Sequence, residues 1–406
     1  MIKHRVAIVG GGFAGVKTAL ELADDNRFDV TLISDHNDFR NYPTLYHVST
    51  GGARRTASIP LTEIFAGKSV RVVIQKVVDI DKKARTVTTD DKQVFEYEAL
   101  VLSLGVQTNY FHIDGLEQFS YGIKTPEDAE ALKAHLHKQL CDQNRPDLNY
   151  VVIGGGPTGV ELAGALPGYI KKIAKQHDLK HARVHVDLIE AAPRLVPRMP
   201  KDISRMIARN LRKQGVKIYL KTAVQAQTAD ALMVNNKPIR SHTVIWTAGV
   251  MNSPFFAAHD FQLARNSKVR VDQFLQAEPG IYVIGDNADT PFSGMAQTAL
   301  YDGKFVAANL QRIASKLDPK PYVAKKPIYV FPAGPKWAAV LWGKVRMYGY
   351  LGWILHLLAD LVAYHDYMPW KMATERWAAL EEEEDSCSHC AGEFAKLNYL
   401  SGESGS

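Results

Sequence analysis

Cysteine is scarce in this chain of 406 residues, which has only three: Cys141, Cys387 and Cys390. So few thiols exclude the disulfide framework of a small secreted protein and favour exposure to the reducing cytosol. Cys387 and Cys390 are spaced like metal ligands, but zinc takes four ligands and the chain has no second such pair. We therefore expect two thiols in an acidic tail, and no metal site.

Long apolar runs and targeting signals are also missing. No stretch of about 20 uncharged apolar residues occurs, so no membrane-spanning helix is expected. The first residues lack a signal-peptide or transit-peptide pattern. Basic runs interleaved with aromatic residues are absent, which argues against nucleic acid as a partner. The net charge of +6 at pH 7 suits contact with anionic lipid or simple solubility.

Glycine, by contrast, is concentrated in two copies of one motif. Residues 6–15 read VAIVGGGFAG and residues 151–159 read VVIGGGPTG. Each copy places Gly-x-Gly-x-x-Gly between an apolar strand and a helical pattern, which is typical of a turn that binds a dinucleotide pyrophosphate at a helix N-terminus. The residues expected to bind are Gly10, Gly12, Phe13, Ala14 and Gly15 in the first copy, and Gly154, Gly156, Pro157, Thr158 and Gly159 in the second. Two copies predict two dinucleotides, and so electrons that pass between them.

The end of the second strand in each unit should hold the adenine ribose. In the second unit this residue is Glu190, whose carboxylate favours the 2′-hydroxyl of NADH over the 2′-phosphate of NADPH, although Arg194 is close enough to weaken this preference. In the first unit Ser34 occupies the usual acidic position and Asp35 follows it. The sequence leaves open which of these two residues holds the ribose.

Two further carboxylates follow strand-like segments or glycine turns. Gly285-Asp286 ends an apolar strand, so that Asp286 is either a cofactor contact or an ordinary helix N-cap. Glu161 follows the second glycine motif and either points at a nicotinamide or serves as a helix-dipole carboxylate.

Residues 343–364 predict an amphipathic helix whose apolar stripe comprises Met347, Leu351, Ile354, Leu355, Leu358, Leu361 and Val362. Arg346, His356 and Asp360 lie on the opposite face. These charges forbid a span and indicate a helix that lies in the plane of a membrane surface. The alternative is a core or dimer helix. Five of the six tryptophans cluster nearby, between residues 337 and 377, which favours the membrane.

The apolar periodicity predicts strands over 5–10, 28–33, 99–105, 149–153, 184–189, 216–220, 244–248 and 281–286, helices over 14–23, 126–140 and 294–315, a loop over 41–52 and a β-meander over 70–97. The expected fold is α/β, with two Rossmann-like dinucleotide-binding domains and a C-terminal membrane-binding region of amphipathic helices. Its predicted boundaries are 1–115 and 251–325 for the first domain, 116–250 for the second, 326–385 for the membrane-binding region and 386–406 for a flexible tail.

Several stretches together resemble the type II NADH:quinone oxidoreductases, within the wider superfamily of flavoproteins that bind two dinucleotides. They are GGGFAG at 10–15, GGGPTGVELAG at 154–164, IWTAGV at 245–250, and Gly285-Asp286 followed by AQTALY at 296–301. The likeness covers most of residues 5–375. The family's quinone motif is Ala-Gln-x-Ala-x-Gln. Gln297 matches it, and Tyr301 stands in place of the second glutamine.

The resemblance implies FAD in the first site, with contacts at Ser34 or Asp35, Gly105, Gly285, Asp286, Ala296 and Gln297, and NADH in the second, with contacts at Glu161, Glu190, Ala248 and Gly249. It also implies two-electron transfer from NADH to a membrane quinone without proton pumping, with Glu161, Gln297 and Tyr301 at the reacting centre. The expected location is the cytoplasmic side of a bacterial cell membrane, as a peripheral protein. Whether it forms a homodimer is left open by the sequence. The alternatives are a sulfide:quinone reductase, an NADH reductase for a small iron–sulfur protein, or a flavin-binding redox sensor with little turnover.

Overall fold

The computed structural model describes residues 3–141, 147, 149–179 and 184–384. The predicted flexible tail, with Cys387 and Cys390, lies outside the described residues. Within the described ranges strands and helices alternate along much of the chain, as the α/β prediction requires.

The first 141 residues contain a βαβ unit, short helices and a β-meander. The strands are β1 (His4–Val9), β2 (Phe28–Ser34), β3 (Asp38–Arg40), β4 (Ser58–Pro60), β5 (Val70–Ile74), β6 (Val77–Asp81), β7 (Thr86–Thr89), β8 (Val94–Glu96), β9 (Ala99–Leu102) and β10 (Val106–Thr108). The helices are α1 (Phe13–Ala23), α2 (Leu45–Ser49), α3 (Leu61–Ile64), α4 (Leu116–Phe119) and α5 (Pro126–Cys141), with 3-10 turns at Tyr42–Thr44 and Arg54–Thr56.

The segment 41–52 was expected to be a loop, and this prediction is wrong. Leu45 and Val48 are three residues apart and both fully buried, so that a turn of helix places them on one face against the core. The prediction of a meander over 70–97 is confirmed for β6, β7 and β8. It is wrong for β5, which pairs in parallel with β2 because Val70 and Val72 pack against the core of the first unit.

The middle of the chain forms the second βαβ unit. Its strands are β11 (Asn149–Ile153), β12 (His185–Glu190), β13 (Lys217–Leu220), β14 (Val224–Gln227), β15 (Ala231–Val234), β16 (Lys237–Arg240), β17 (Val244–Trp246) and β18 (Val250–Asn252). Its helices are α6 (Pro157–Gln176) and α7 (Lys201–Lys213). The chain then continues through α8 (Phe255–Ala258), β19 (Gln276–Glu278), β20 (Ile281–Val283), a 3-10 turn at Gly285–Asn287 and α9 (Ala296–Ala314).

Two mainly parallel sheets form the centre of the fold. The first has the strand order β19-β20-β9-β1-β2-β5, and the second has the order β13-β12-β11-β17. In the first, Val6 pairs with Val30 on one side and Ala99 on the other. In the second, Val151 pairs with Asp187 and Val244. Each glycine motif therefore leaves the carboxyl end of a central strand, where open α/β sheets bind their ligands.

Strands of the first sheet come from residues 4–102 and again from 276–283, whereas those of the second come from 149–246. The two short strands β10 and β18 pair in antiparallel fashion between these segments. The chain thus leaves the first sheet, builds the second and returns. The domain boundaries at 115, 250 and 325 stay predictions.

The C-terminal part begins with a three-stranded sheet made of β21 (Tyr329–Pro332), β22 (Ala338–Trp342) and β23 (Val345–Gly349), followed by α10 (Tyr350–His365), α11 (Trp370–Ala378) and a 3-10 turn at Ala379–Glu381. The helix predicted over 343–364 therefore begins only at Tyr350. Gly343 and Gly349 both have positive φ angles and bracket β23, which pairs with β22 instead of extending the helix.

This C-terminal part shares a core with both units. Phe331 and Leu341 pack with the hydrophobic residues of the second unit, whereas Tyr364, Tyr367 and Met368 pack with those of the first. It is therefore built into the fold, and not an appendage of amphipathic helices. None of the helices in the described ranges is both long and apolar enough to cross a membrane.

Candidate functional site

The two glycine turns form cradles that admit no side chain at their base. A methyl group added at Gly15 would lie 2.0 Å from the carbonyl oxygen of Gly10, and one added at Gly159 would lie 1.8 Å from that of Gly154. Gly10 and Gly154 also have φ angles of +112° and +111°, a region that L side chains rarely adopt. Only glycine fits these positions.

The outer glycine of each turn has the opposite surroundings. A methyl group added at Gly12 or Gly156 would meet no protein atom within 4 Å. Both residues are helix N-caps, of α1 and α6, and neither makes a side-chain capping bond. The backbone N–H groups of the first helical turns can therefore donate to an anion that lies over the open glycine. This cradle fits the pyrophosphate of a dinucleotide in both units.

The side chains of the first motif contribute to packing, and those of the second shape the start of α6. Phe13 is buried and packs edge-on against Phe39, with ring centroids 4.8 Å apart. Ala14 is buried, Pro157 starts α6 as its first residue and Thr158 is half-buried beside it. We infer that these four residues act through their backbone and through the helix start that they shape.

Two hydroxyl residues that were not predicted donate hydrogen bonds to the backbone at the end of the strand that precedes each glycine turn. Ser103 Oγ donates to the carbonyl of Val9 at 3.1 Å, and Thr247 Oγ1 donates to the carbonyl of Ile153 at 2.8 Å. Each follows the strand that flanks the central strand of its sheet. A repeated sequence signal could have identified them, since Ser103-Leu-Gly105 and Thr247-Ala-Gly249 share the pattern hydroxyl-x-Gly after an apolar strand.

Glu190 occupies the predicted ribose position at the end of β12. Its carboxylate accepts hydrogen bonds from the backbone N–H groups of Gly155 and Ala192, both at 2.6 Å. These bonds fix the carboxylate beside the second glycine turn. Arg194 instead donates to the carbonyl oxygens of Met199 and Pro197, so its guanidinium is engaged elsewhere.

Ser34 is the counterpart of Glu190 in the first unit. It ends β2, is buried, and its Oγ would be 2.6 Å from a methyl group added at Gly11, just as Glu190 is adjacent to Gly155. Asp35 points outward, with its side chain 61% exposed and 3.4 Å from the His36 ring. The geometry therefore places Ser34, and not Asp35, in the position that corresponds to the ribose acceptor.

The Gly285-Asp286 turn is tied to both halves of the first unit. Gly105 N–H donates to Asn287 Oδ1 at 3.0 Å, and Asn287 Nδ2 donates back to the Gly105 carbonyl at 2.6 Å. Asp302, on α9, accepts the Gly285 N–H at 3.0 Å. Gly105 and Gly285 thus come together, although 180 positions separate them in the sequence.

Charges around this turn are partly buried. Burial raises the pKa of Asp302 to about 6, while the Tyr322 hydroxyl, which donates to it at 2.6 Å, opposes that rise. Burial also lowers the pKa of Lys124, against the pull of the Asp286 carboxylate. Asp286 is half-buried and acts electrostatically on both groups. Its neighbour Gly285 lies beside the first cradle, since a methyl group added at Gly285 would be 3.4 Å from the Ala14 Cβ.

Ala248 and Gly249 lie at the second cradle. The Ala248 backbone nitrogen would be 2.9 Å from a methyl group added at Gly154. Gly249 has a φ of +75° and accepts a hydrogen bond from the backbone N–H of Asn109 at 3.2 Å. This loop after β17 therefore closes one side of the second site, as the loop after β9 does in the first.

Glu161 lies at a cavity of about 190 Å³ between α6 and the C-terminal part. The cavity is lined by Tyr46, Glu161, Ala165, Pro332, Gly334, Pro335, Lys336, Trp353 and His356. Burial, and next the nearby Asp360 carboxyl, raises the pKa of Glu161 to about 8. The carboxyl group therefore holds a proton at neutral pH and can donate a hydrogen bond into the cavity. From the sequence, Glu161 was expected to contact the nicotinamide or to serve as a helix-dipole carboxylate. In the structure it lines this cavity.

Helix α10 forms the other wall of the cavity. Its polar side chains face the protein interior and its apolar side chains face outward, which is the reverse of an ordinary surface helix. His356 and Asp360 face inward, with side chains 16% and 19% exposed and 3.5 Å apart. Burial raises the pKa of Asp360 and raises that of Tyr46 well above its ordinary value. The outer face carries Leu351, Ile354, Leu358 and Val362, all exposed.

Gln297 and Tyr301 lie on α9, four residues apart. Gln297 Oε1 accepts the backbone N–H of Ile328 at 2.9 Å, at the start of the strand β21 whose last residue, Pro332, lines the Glu161 cavity. Four residues of strand separate these ends by about 13 Å. Tyr301 is half-buried, and the Lys325 ammonium lies 5.0 Å from its ring centroid. Ala296 is the first residue of α9.

Comparisons with known proteins show the family and the fold of this chain. A family model described as pyridine nucleotide-disulphide oxidoreductase matches residues 4–303. A type II NADH:quinone oxidoreductase of Mycobacterium tuberculosis is 30% identical over 397 residues, covering 89% of this chain and 83% of the relative. One from Staphylococcus epidermidis is 25% identical, covering 77% and 83%. The solved structure of NDH2 from Plasmodium falciparum in complex with NADH has a TM-score of 0.85 at 16% identity, covering 93% of this chain and 97% of that one.

The family model covers well over half of the chain, and the mycobacterial relative is matched along most of its length. The fold comparison agrees over nearly the whole described structure. The chain belongs to the pyridine nucleotide-disulphide oxidoreductase family and, within it, to the type II NADH:quinone oxidoreductases.

Proposed function

We propose that this protein passes two electrons from NADH through FAD to a lipid-soluble quinone at a membrane surface, without pumping protons. The observation that carries the proposal is helix α10. Its apolar side chains face outward, and its polar side chains close the cavity that holds protonated Glu161. A lipid-soluble acceptor needs this combination of an apolar approach and a polar end.

FAD is assigned to the first cradle and NADH to the second. Gly10, Gly12 and Gly15 leave room for the FAD pyrophosphate, Ser34 takes the ribose position and Asp286 stands at the far end of the cradle. In the second unit the fixed carboxylate of Glu190 accepts the hydroxyls of the adenine ribose and repels a 2′-phosphate. We infer a preference for NADH over NADPH.

FAD supplies the redox chemistry, because its ring system can accept a pair of electrons from NADH and release them to a quinone. The chain's own residues orient and protect the reactants. The loops after β9 and β17 fix the two cradles. We infer that Glu161 donates a hydrogen bond to the quinone, and that Gln297 and Tyr301 border its path from the β21 side.

The outer face of α10 is assigned to the membrane. Leu351, Leu358 and Val362 are 67%, 51% and 53% exposed, and full burial of such a side chain is worth about 1.5–3 kcal/mol. Together with Ile354, half that burial amounts to about 3–6 kcal/mol of membrane binding. Trp342, the last residue of β22, and Trp370, the first residue of α11, are also exposed, as interfacial tryptophans are. We place the protein on the cytoplasmic side of the membrane, where NADH is found. A homodimer stays a prediction.

Vesicle flotation tests the membrane assignment. The variant with both Leu351→Asp and Leu358→Asp should bind vesicles of anionic and zwitterionic lipid at least tenfold more weakly than the wild type, because two charges replace apolar anchors. Val94→Asp is the matched control, since Val94 is 59% exposed on β8, outside α10. Equal flotation of the wild type and the double variant would contradict the proposal.

Stopped-flow kinetics test the electron path. The purified yellow protein should be bleached by NADH under anaerobic conditions and recoloured by a quinone, with both steps fast enough to account for steady-state turnover. Acid extraction should release FAD. A flavin that NADH reduces but that quinone does not reoxidise would refute the quinone assignment and leave the NADH assignment standing.

A further inference from the structure

We propose that His137, Cys141 and His177 form a zinc-binding site that fastens α5 to the end of α6. Among the described residues these three bring one imidazole nitrogen, one sulfur and a second imidazole nitrogen within 4.8 Å of one another. The site lies at the C-terminal end of α6, whereas Glu161 lies near its N-terminal end. It is independent of the electron path proposed above.

The local structure explains why these atoms meet. His137 and Cys141 are four residues apart in the last turns of α5, so that both side chains lie on one face of that helix. His177 is the C-cap residue of α6. The two helices pack against each other through the shared core of the second unit, which brings their C-terminal ends together.

The two imidazole rings already have an arrangement that suits a common ligand. Nε2 of His137 and Nε2 of His177 share a hydrogen bond of 2.9 Å, which a zinc ion would replace, and the ring planes are 85° apart. Two nitrogens on one tetrahedral zinc, each at about 2.0–2.1 Å from it, are about 3.4 Å apart. The rings therefore need to separate by only about half an ångström to admit the ion.

The ligand types select the metal. Imidazole nitrogen and thiolate favour Zn²⁺ over Mg²⁺, Ca²⁺ or Mn²⁺, which prefer oxygen ligands. His137 is 3% exposed, whereas Cys141 and His177 are half-buried, so that the ion can enter from the solvent side and keep a water molecule there as a fourth ligand. Each of the three residues has further interactions in the protein, and zinc has to compete with these.

The role inferred for the ion is structural. His177 follows Glu161 by 16 residues along α6 and its C-cap, which corresponds to about 24 Å. At this distance the ion cannot touch the reacting groups. It would cross-link α5 to α6, whose N-terminal end carries the second cradle, and it should therefore stabilise the folded protein and leave turnover unchanged.

Zinc titration of the full-length flavin-loaded protein tests this proposal after dialysis against a chelator. Because Cys387 and Cys390 offer competing thiols, the titration uses a background in which both are serine. We expect one zinc ion per chain, measured by calorimetry and elemental analysis, and a higher melting temperature with zinc. His177→Gln should weaken binding by more than the roughly 10–100-fold that loss of a ligand's supporting partner typically costs, and should abolish the zinc-dependent rise in melting temperature.

His185→Gln is the matched control, because His185 is a half-buried histidine of the same unit outside the cluster. It should bind zinc like the background protein. Cys141→Ser should remove the sulfur ligand from the zinc X-ray absorption spectrum. Retained flavin and NADH oxidation would show that each variant is folded. The proposal is overturned if the background protein binds no zinc, or if His177→Gln and Cys141→Ser bind it as tightly as the background.

Discussion

Replacing Glu161 with glutamine should remove the pH dependence of flavin reoxidation by quinone. Burial and the Asp360 carboxyl raise the pKa of Glu161 to about 8, so that about nine in ten molecules are protonated at pH 7 and about one in ten at pH 9. If the protonated form donates to the quinone, the wild-type rate should fall about tenfold across this interval. Glutamine keeps a donor and cannot ionise, so its profile should be flat.

The assay is a single reoxidation. Enzyme reduced with one equivalent of NADH is mixed anaerobically with a short-chain quinone at each pH, and the flavin absorbance is followed. Asp360→Asn removes a carboxyl that raises the pKa of Glu161, and should therefore shift the fall in rate to lower pH. A wild-type rate that is constant from pH 7 to 9, or a Glu161→Gln variant that keeps the wild-type profile, would refute the reasoning.

Protein stability provides an independent measure of the same proton. The folded protein keeps a proton on Glu161 between about pH 4.5, the ordinary pKa of glutamate, and pH 8, whereas the unfolded chain loses it. Stability relative to Glu161→Gln should therefore decrease as pH rises through this interval, by at most about 1.4 kcal/mol per pH unit. Melting temperatures of the two proteins across this range would show the divergence, and parallel curves would mean that Glu161 titrates normally.

Three further predictions concern the second cradle and the electron exit. Glu190→Gln should reduce the preference of kcat/KM for NADH over NADPH, because a neutral amide no longer repels the 2′-phosphate; an unchanged ratio would remove Glu190 from the ribose site. Gly159→Ala should abolish reduction by NADH while FAD stays bound, since the added methyl group collides with the Gly154 carbonyl; normal reduction would contradict the cradle. Gln297→Ala should slow reoxidation by quinone and leave reduction by NADH unchanged, and Gln297→Glu, which keeps the acceptor for Ile328 N–H, separates loss of the amide donor from loss of that bond. If either variant slows only reduction by NADH, α9 does not border the quinone.

The features that local sequence determines were predictable. A tight turn between an apolar strand and a helix requires glycines at fixed spacing, so both cradles could be located, and strand length placed Glu190 at the end of β12. Ser34 could not be chosen over Asp35 from sequence, because a shift of one residue reverses which side chain faces inward. In the structure Ser34 ends β2 and is buried, whereas the Asp35 side chain is 61% exposed, which favours Ser34 as the proposed ribose contact.

Features that depend on tertiary packing were either not predicted from the sequence or predicted wrongly. Residues 345–349 form a strand because β22 offers a partner, which no local pattern of residues 343–364 reveals. The inward direction of His356 and Asp360 depends on the cavity across from α10. His177 meets Cys141 only because α5 and α6 pack side by side, and their separation by 36 positions along the chain conceals this in the sequence.

The two faces of helix α10 have different environments, since lipid would cover its outer face while its inner face borders the cavity of Glu161. Any ordering of this helix by the bilayer that excludes water from the cavity would also favour the uncharged carboxyl. By thermodynamic reciprocity, the factor by which lipid raises proton affinity at Glu161 equals the factor by which protonation raises affinity for lipid. The enzyme would then bind its membrane more tightly below pH 8 than above it, and the occupancy of the membrane by this protein would follow the pH on the side where it binds.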